Sequence, residues 1–172
     1  VISHNAGLDT INLGGGDDTL TITSLGQAAF VGCGDGNDSV NNAGTISGTI
    51  DCGAGDDTVV NSGTVTSGGI GITGGTGADS LVNAAGGSIN AGDDGIVGGG
   101  GAGIDTLINH GTIIAVSNAL QCFANGCWME NTGYGSSSTG SALFGGGGSD
   151  TLLNSGTLFS TIGNGMNGAS GN

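Results

Sequence analysis

Aliphatic and polar residues alternate along this chain in short runs, and almost every run is closed by a glycine-rich turn. In "DSVNNAGTISGTI" the residues Val40, Ile46 and Ile50 fall on one side. The next stretch offers Val59, Val65 and Ile70 or Ile72 at matching places. Alternation with a period of two predicts half-buried β-strands. Segments of Ala, Leu, Glu and Lys with helical spacing are absent, so the sequence reads as all-β. The apolar runs are too short to span a bilayer, which excludes membrane insertion by a helix.

The runs repeat. LGGGDDTL (13–20), CGDGNDSV (33–40), CGAGDDTV (52–59), GGTGADSL (74–81), GGAGIDTL (read from Gly100) and GGGGSDTL (145–152) share one pattern. Glycine holds the second and fourth places, aspartate the sixth and an aliphatic residue the eighth. The aspartates are Asp18, Asp38, Asp57, Asp79, Asp105 and Asp150, separated by 20, 19, 22, 26 and 45 residues. The last gap is about two periods. Four residues after each aspartate, from the second copy on, stands an asparagine: Asn42, Asn61, Asn83, Asn109 and Asn154. "ENTGY" supplies Asn131 at the same offset, and counting back places Cys127 where the others carry aspartate and Cys122 at the first place. The loop "QCFANGCW" is therefore a disguised seventh copy.

A period of 19–26 residues with short strands between glycine turns predicts a single parallel β-solenoid (β-helix or β-roll) of about 7–8 coils over residues 1–172. An atypical, disulfide-closed coil is expected around residues 115–140. At the usual strand spacing the rod would be roughly 35–40 Å long, with a core one aliphatic side chain deep. So thin a core calls for staples. The asparagine series predicts a ladder of stacked amides at one turn; the alternative is that these residues only adopt turn dihedrals. Cys33 and Cys52 share the first place of adjacent copies, which predicts an inter-coil bridge, with Cys122–Cys127 closing a single turn. Reduced, buried thiols are the alternative. Disulfides point to an extracellular, cell-surface or periplasmic setting for a secreted protein.

Composition narrows the function. The chain has 42 Gly, no Lys or Arg, and a net charge of −14, carried almost wholly by aspartate. Without cationic side chains, binding to nucleic acid or an anionic membrane surface is excluded as a role. Zinc is disfavoured because the cysteines have no second C-x-x-C pair and His4 and His110 are isolated, both read as surface residues. No catalytic constellation is recognisable from spacing, so the chain is not read as an enzyme, and a polysaccharide-active enzyme is the weaker alternative.

The copies resemble the G-G-x-G-x-D-x-U-x nonapeptide of RTX repeats, in which turns bind calcium. With one motif per coil, they are also similar to calcium-dependent solenoids of bacterial ice-binding adhesins. "GDDTVVNSGTV" looks like repeats of autotransporter passengers and adhesins. The resemblance implies calcium as the bound ion, between successive members of Asp18, Asp38, Asp57, Asp79 and Asp105, with Asp150 in the same row beyond a break at Cys127. Turn capping by aspartate without metal is the alternative. The third and fifth places lack a regular Thr/Asn array, so ice binding is not carried over. What remains is a structural or adhesive protein. The start at Val1, without a signal peptide, reads as a processed product or an excised piece. Both termini look like further coil, which predicts end-to-end self-association into a filament, with a segment of an adhesin or autotransporter passenger as the alternative. Phe123, Trp128 and Tyr134 form a candidate contact patch for a protein or glycan, while Met129 is read as core.

Overall fold

The structure, a computed structural model, describes residues 2–4, 9–123 and 125–168, and of residues 2–4 only the backbone. Val1, residues 5–8, Ala124, residues 169–172 and the His4 side chain lie outside the described residues. The chain winds into a parallel β-solenoid of about seven turns, with no helix among the described residues, as the repeat predicts. No helix among the described residues is long and apolar enough to cross a membrane.

Each coil contributes three short strands, and each strand pairs in parallel with its equivalents in the coils above and below. In the fourth coil these are Ile72–Thr76 on a first face, Ser80–Asn83 on a second and Ser88–Ala91 on a third. Leu81 pairs with Val59 on one side and Leu107 on the other; Ile89 pairs with Val65 and Ile113. Gln27–Asp35 runs round the corner from the third face to the first. Its start pairs with Thr45–Ile46 and its end with Ile50–Ala54, which joins the two faces into one continuous sheet.

Strand alternation sends every second residue inward, and pairing stacks like on like. Three columns result: Val31, Ile50, Ile72, Ile96, Leu120 and Leu143 on the first face, Leu20, Val40, Val59, Leu81, Leu107 and Met129 on the second, and Ala28, Ile46, Val65, Ile89 and Ile113 on the third. All are buried. Between the two candidates offered by the sequence, Ile72 takes the core position, while the Ile70 carbonyl accepts a 2.8 Å hydrogen bond from the Thr49 hydroxyl. In the last coil Leu152 and Leu158 occupy the same columns but are only partly buried, because no described coil covers their outer side.

Unequal coil lengths are absorbed at corners, so the ladders stay in register. Ile46 pairs with Val65 at a separation of 19, whereas Ile50 pairs with Ile72 at 22, so three residues are inserted at the corner after Ser67. Asn61 pairs with Asn83 at 22 but Thr64 with Ser88 at 24, which places two more between Asn83 and Ser88. Another pair lies in the glycine turn of the fifth coil. Gly75 pairs with Gly99 and Thr76 with Gly100, so the repeat there starts at Gly98 and not, as its spelling suggests, at Gly100. Counting back from Asp105 misses this insertion, since Gly98–Gly101 are four identical residues that fit the pattern in either register.

The turn depends on glycine at its second place. Gly75 has φ +95°, and a Cβ there would overlap the carbonyl oxygen of Gly53 in the coil beneath. A Cβ at Gly100 meets nothing within 4 Å. Gly75→Ala is expected to cost more than about 2 kcal/mol, combining a strained dihedral with backbone overlap, and Gly100→Ala to stay within about 0.5 kcal/mol. Equilibrium denaturation of both variants checks this, and equal losses would refute it.

Candidate functional site

The second-face strands end at a corner where the asparagine column sits. Side-chain amides join successive coils: Asn42 Nδ2 donates to Asn61 Oδ1 at 2.7 Å, Asn61 to Asn83 at 2.9 Å and Asn83 to Asn109 at 2.8 Å. Asn109 then donates to Asn131 at 2.7 Å and Asn131 to Asn154 at 2.8 Å. All six asparagines proposed from the sequence are thus one ladder. Its first five members are buried and Asn154, at the end, is exposed. In the first coil Ile22 takes the place of asparagine, pairing with Asn42. Amides suit this column because each carries a donor and an acceptor, so identical neighbours satisfy one another. Spare donors reach the backbone, as where Asn109 Nδ2 donates to Tyr134 O at 3.0 Å.

The aspartate column lies at the opposite end of the second-face strands. From Asp38 on, each Oδ1 accepts the backbone N–H of the equivalent residue one coil back. Asp38 takes that of Asp18 at 2.7 Å, Asp57 that of Asp38 at 2.7 Å, Asp79 that of Asp57 at 2.9 Å and Asp105 that of Asp79 at 3.0 Å. Asp150 accepts from Cys127 N at 3.0 Å. Fifth-place residues cap in the other direction: Asp17 accepts from Asn37 N, Asn37 from Asp56 N and Asp56 from Ala78 N, each at 2.8 Å. This outer row escaped the sequence reading, in which fifth places were inspected only for a repeated Thr/Asn surface.

The inner carboxylates are incompletely satisfied. Oδ2 of Asp38, Asp57, Asp79 and Asp150 is buried without a hydrogen-bond partner. Burial raises the pKa of Asp57, Asp105 and Asp150 above the ordinary value and pushes Asp79 up to about 6, with the stacked Asp105 and Asp57 charges adding to the shift. A buried, unpaired carboxylate oxygen facing a glycine turn is the feature that a hard cation would satisfy, so the column fits calcium in the character of its donors. The carboxylates do not by themselves form a cluster: among the described residues, no group of three or more His, Cys, Asp or Glu side chains is arranged around one point. Backbone carbonyls would have to supply most of the remaining oxygens.

The first place of each turn faces the sixth. A Cβ at Gly74 would overlap Asp79 Oδ2, and one at Gly98 would overlap Asp105 Oδ2. In the sixth coil the same two places hold Cys122 and Cys127, which form the expected disulfide with a Cα–Cα distance of 6.4 Å. The covalent bond therefore spans the gap that an aspartate and a glycine fill in the fourth, fifth and seventh coils, and Cys127, paired with Asp105, interrupts the acid column. The other expected bridge is corrected: Cys33 and Cys52 are free, buried thiols. They stand in register on adjacent coils, since Gly34 pairs with Gly53. Side chains projecting in parallel from paired strands keep roughly the ~4.8 Å strand spacing at Cβ, wider than the ~3.8 Å typical of a disulfide. Hydrogen bonding to Cys33, followed by burial, pushes the Cys52 thiol far up.

A second polar corner was not foreseen. Buried Asp94 accepts from Asn118 N at 2.7 Å and Nδ2 at 2.9 Å, and Asn118 Oδ1 accepts from Ser141 N at 2.9 Å. Asp94, Asn118 and Ser141 lie one coil length apart, at separations of 24 and 23, but differ in type, so no repeated residue marks them in the sequence. The suggested aromatic patch is divided. Trp128 points out from the second face and Tyr134 from the third, either side of the asparagine corner, and Phe123 lies beyond the first-face strand Leu120–Gln121. Met129 is fully buried, as expected, and His110 is exposed, with Nδ1 2.6 Å from the Thr132 hydroxyl. Comparison with protein-family models, with curated proteins and with solved structures gives no match.

Two outcomes follow from these columns. Replacing Asn83 by Ala strands the Asn61 amide and the Asn109 carbonyl, and is expected to cost about 2–4 kcal/mol by denaturant unfolding; a loss under 1 kcal/mol would show that the ladder is incidental. Because Asp79 has its pKa raised in the folded state, folding favours its protonated form. In chelator, its contribution to stability is greatest below pH 4 and is lost as pH rises from about 4 to 6. Melting temperature should fall over that window, and Asp79→Asn, which keeps the Oδ1 acceptor, should flatten the slope.

Proposed function

We propose that this chain is an extracellular structural protein: a β-solenoid, stabilised by calcium and a disulfide, that stacks end to end into a filament or surface fibre. One observation carries the reading. The last described coil presents the strands Thr151–Asn154 and Thr157–Ser160 as open edges, with Leu152 and Leu158 only partly covered and Asn154 at the free end of the amide ladder. Such a surface is complementary to another coil of the same kind, since unpaired strand edges template further pairing. Phe159 and Ile162, both strongly exposed, add apolar area beside it. The second reading, a segment of a longer adhesin or autotransporter passenger, uses the same edge, covered there by the following coil of its own chain.

Calcium enters through the resemblance of the turns to RTX repeats and through the unpaired oxygens of Asp38, Asp57, Asp79 and Asp150, with Asp18 and Asp105 in the same column. A bound divalent ion would supply the counter-charge that a chain without Lys or Arg cannot provide. The extracellular setting is supported by the Cys122–Cys127 disulfide.

Negative-stain imaging and sedimentation over a concentration series test the assembly. Rods longer than one chain are expected, with Leu158→Asp shortening them to single particles; monodisperse particles at high concentration would favour the adhesin segment. Calcium added to chelated protein should raise the melting temperature at neutral pH by several degrees, and an unchanged melt would remove calcium from the proposal.

A further inference from the structure

At the corner between the third and first faces of the last coils lies an open cleft of about 350 Å³, within the range of small-molecule sites. Two parallel ranks of side chains line it. Gln121, Phe144 and Asn167 follow one another along the outer side of the first face, in pairing register. Asn118, Ser141 and Asn164 run beside them on successive coils of the corner. Amides and hydroxyls dominate the walls, the Phe144 ring interrupts them, and among the described residues no charged side chain lines the cleft.

The amides are held before any ligand arrives. Buried Asp94, behind the wall, fixes Asn118 through two hydrogen bonds. Gln121 is held against the same anchor, the end of its side-chain amide lying 2.8–3.0 Å from the Asp94 carboxylate and 2.7 Å from Asn118 Nδ2. Fixed donors and acceptors lose little entropy on binding. A ligand matching this cleft must offer hydroxyls around its rim and an apolar face for the ring. It should carry no negative charge, given Asp94 behind the wall and a chain of net charge −14. A sugar ring has this make-up. Repetition of the lining at the coil spacing of ~4.8 Å presents similar groups to successive rings.

We propose that this cleft binds a neutral oligosaccharide, with a sugar face on Phe144 and hydroxyls on Asn118, Gln121 and Asn164. The proposal is independent of end-to-end assembly. Saturation-transfer NMR on the intact chain, with cellotetraose, chitotetraose, mannotetraose and xylotetraose as probes and a tetragalacturonate as the anionic comparison, tests it. At least one neutral probe should bind, and the anionic one should not. Phe144→Leu and Asn164→Ala, both near the surface, should each weaken binding about tenfold with an unchanged melting temperature. If all four neutral probes fail, if the tetragalacturonate binds equally well, or if binding survives both substitutions together, the assignment is overturned. Should Phe144→Leu lower the melting temperature, the Asn164→Ala result decides alone.

Discussion

Everything in this molecule depends on stacking each residue on its own equivalent, one strand spacing along the axis. Register of this kind is neutral for aliphatic residues, which gain contact with any neighbour of similar size. It is favourable for asparagine, because an amide offers both a donor and an acceptor and a column of amides closes on itself. For aspartate the same register is unfavourable, since carboxylates only accept and their charges add. The fold therefore spends one oxygen of an inner carboxylate on an amide of the preceding coil and leaves the other buried without a partner, open only to a proton or cation that can reach it. One geometric rule thus produces a stabilising column at one end of the second face and a charge-loaded column at the other.

This contrast explains which features were legible in the sequence. A ladder whose members are chemically self-complementary repeats its residue type strictly, so Asn42 through Asn154 could be read by counting, and the inward aliphatic columns by alternation. The disguised coil at Cys122 and Cys127 was found by the same counting, and its disulfide follows from the close approach of first and sixth places also seen at Gly74 and Asp79, Gly98 and Asp105, and Gly145 and Asp150. Cys33 and Cys52 misled because sequence register shows that two residues stack, whereas a disulfide also requires their side chains to converge. Register itself slipped at Gly98–Gly101, where a run of identical residues hides an insertion. The Asp94–Asn118–Ser141 corner stayed hidden because its members differ in type from coil to coil, which removes the repetition that counting relies on.

The corners also separate stability from recognition. Strand positions are constrained on both sides by neighbouring coils, so their outward residues can vary only within a fixed grid. Corners take up the insertions after Ser67, after Asn83 and near Gly100, and so can change shape without disturbing the ladders. A site with mixed chemistry is easiest to build where length is free and a rigid ladder lies close behind. The cleft beside Asn118 and Phe144 meets both conditions: its amides are anchored on a buried carboxylate, and its first rank rides on paired strands. The turn before the acid column also takes an insertion, near Gly100, but the aspartates themselves stay in axial register. The column is locked by the axial repeat, so it can respond to protons or cations, but the repeat gives it little latitude to select among larger ligands. The two proposed kinds of binding thus differ in origin, ionic and repetitive along the turns, shaped and local at the corner.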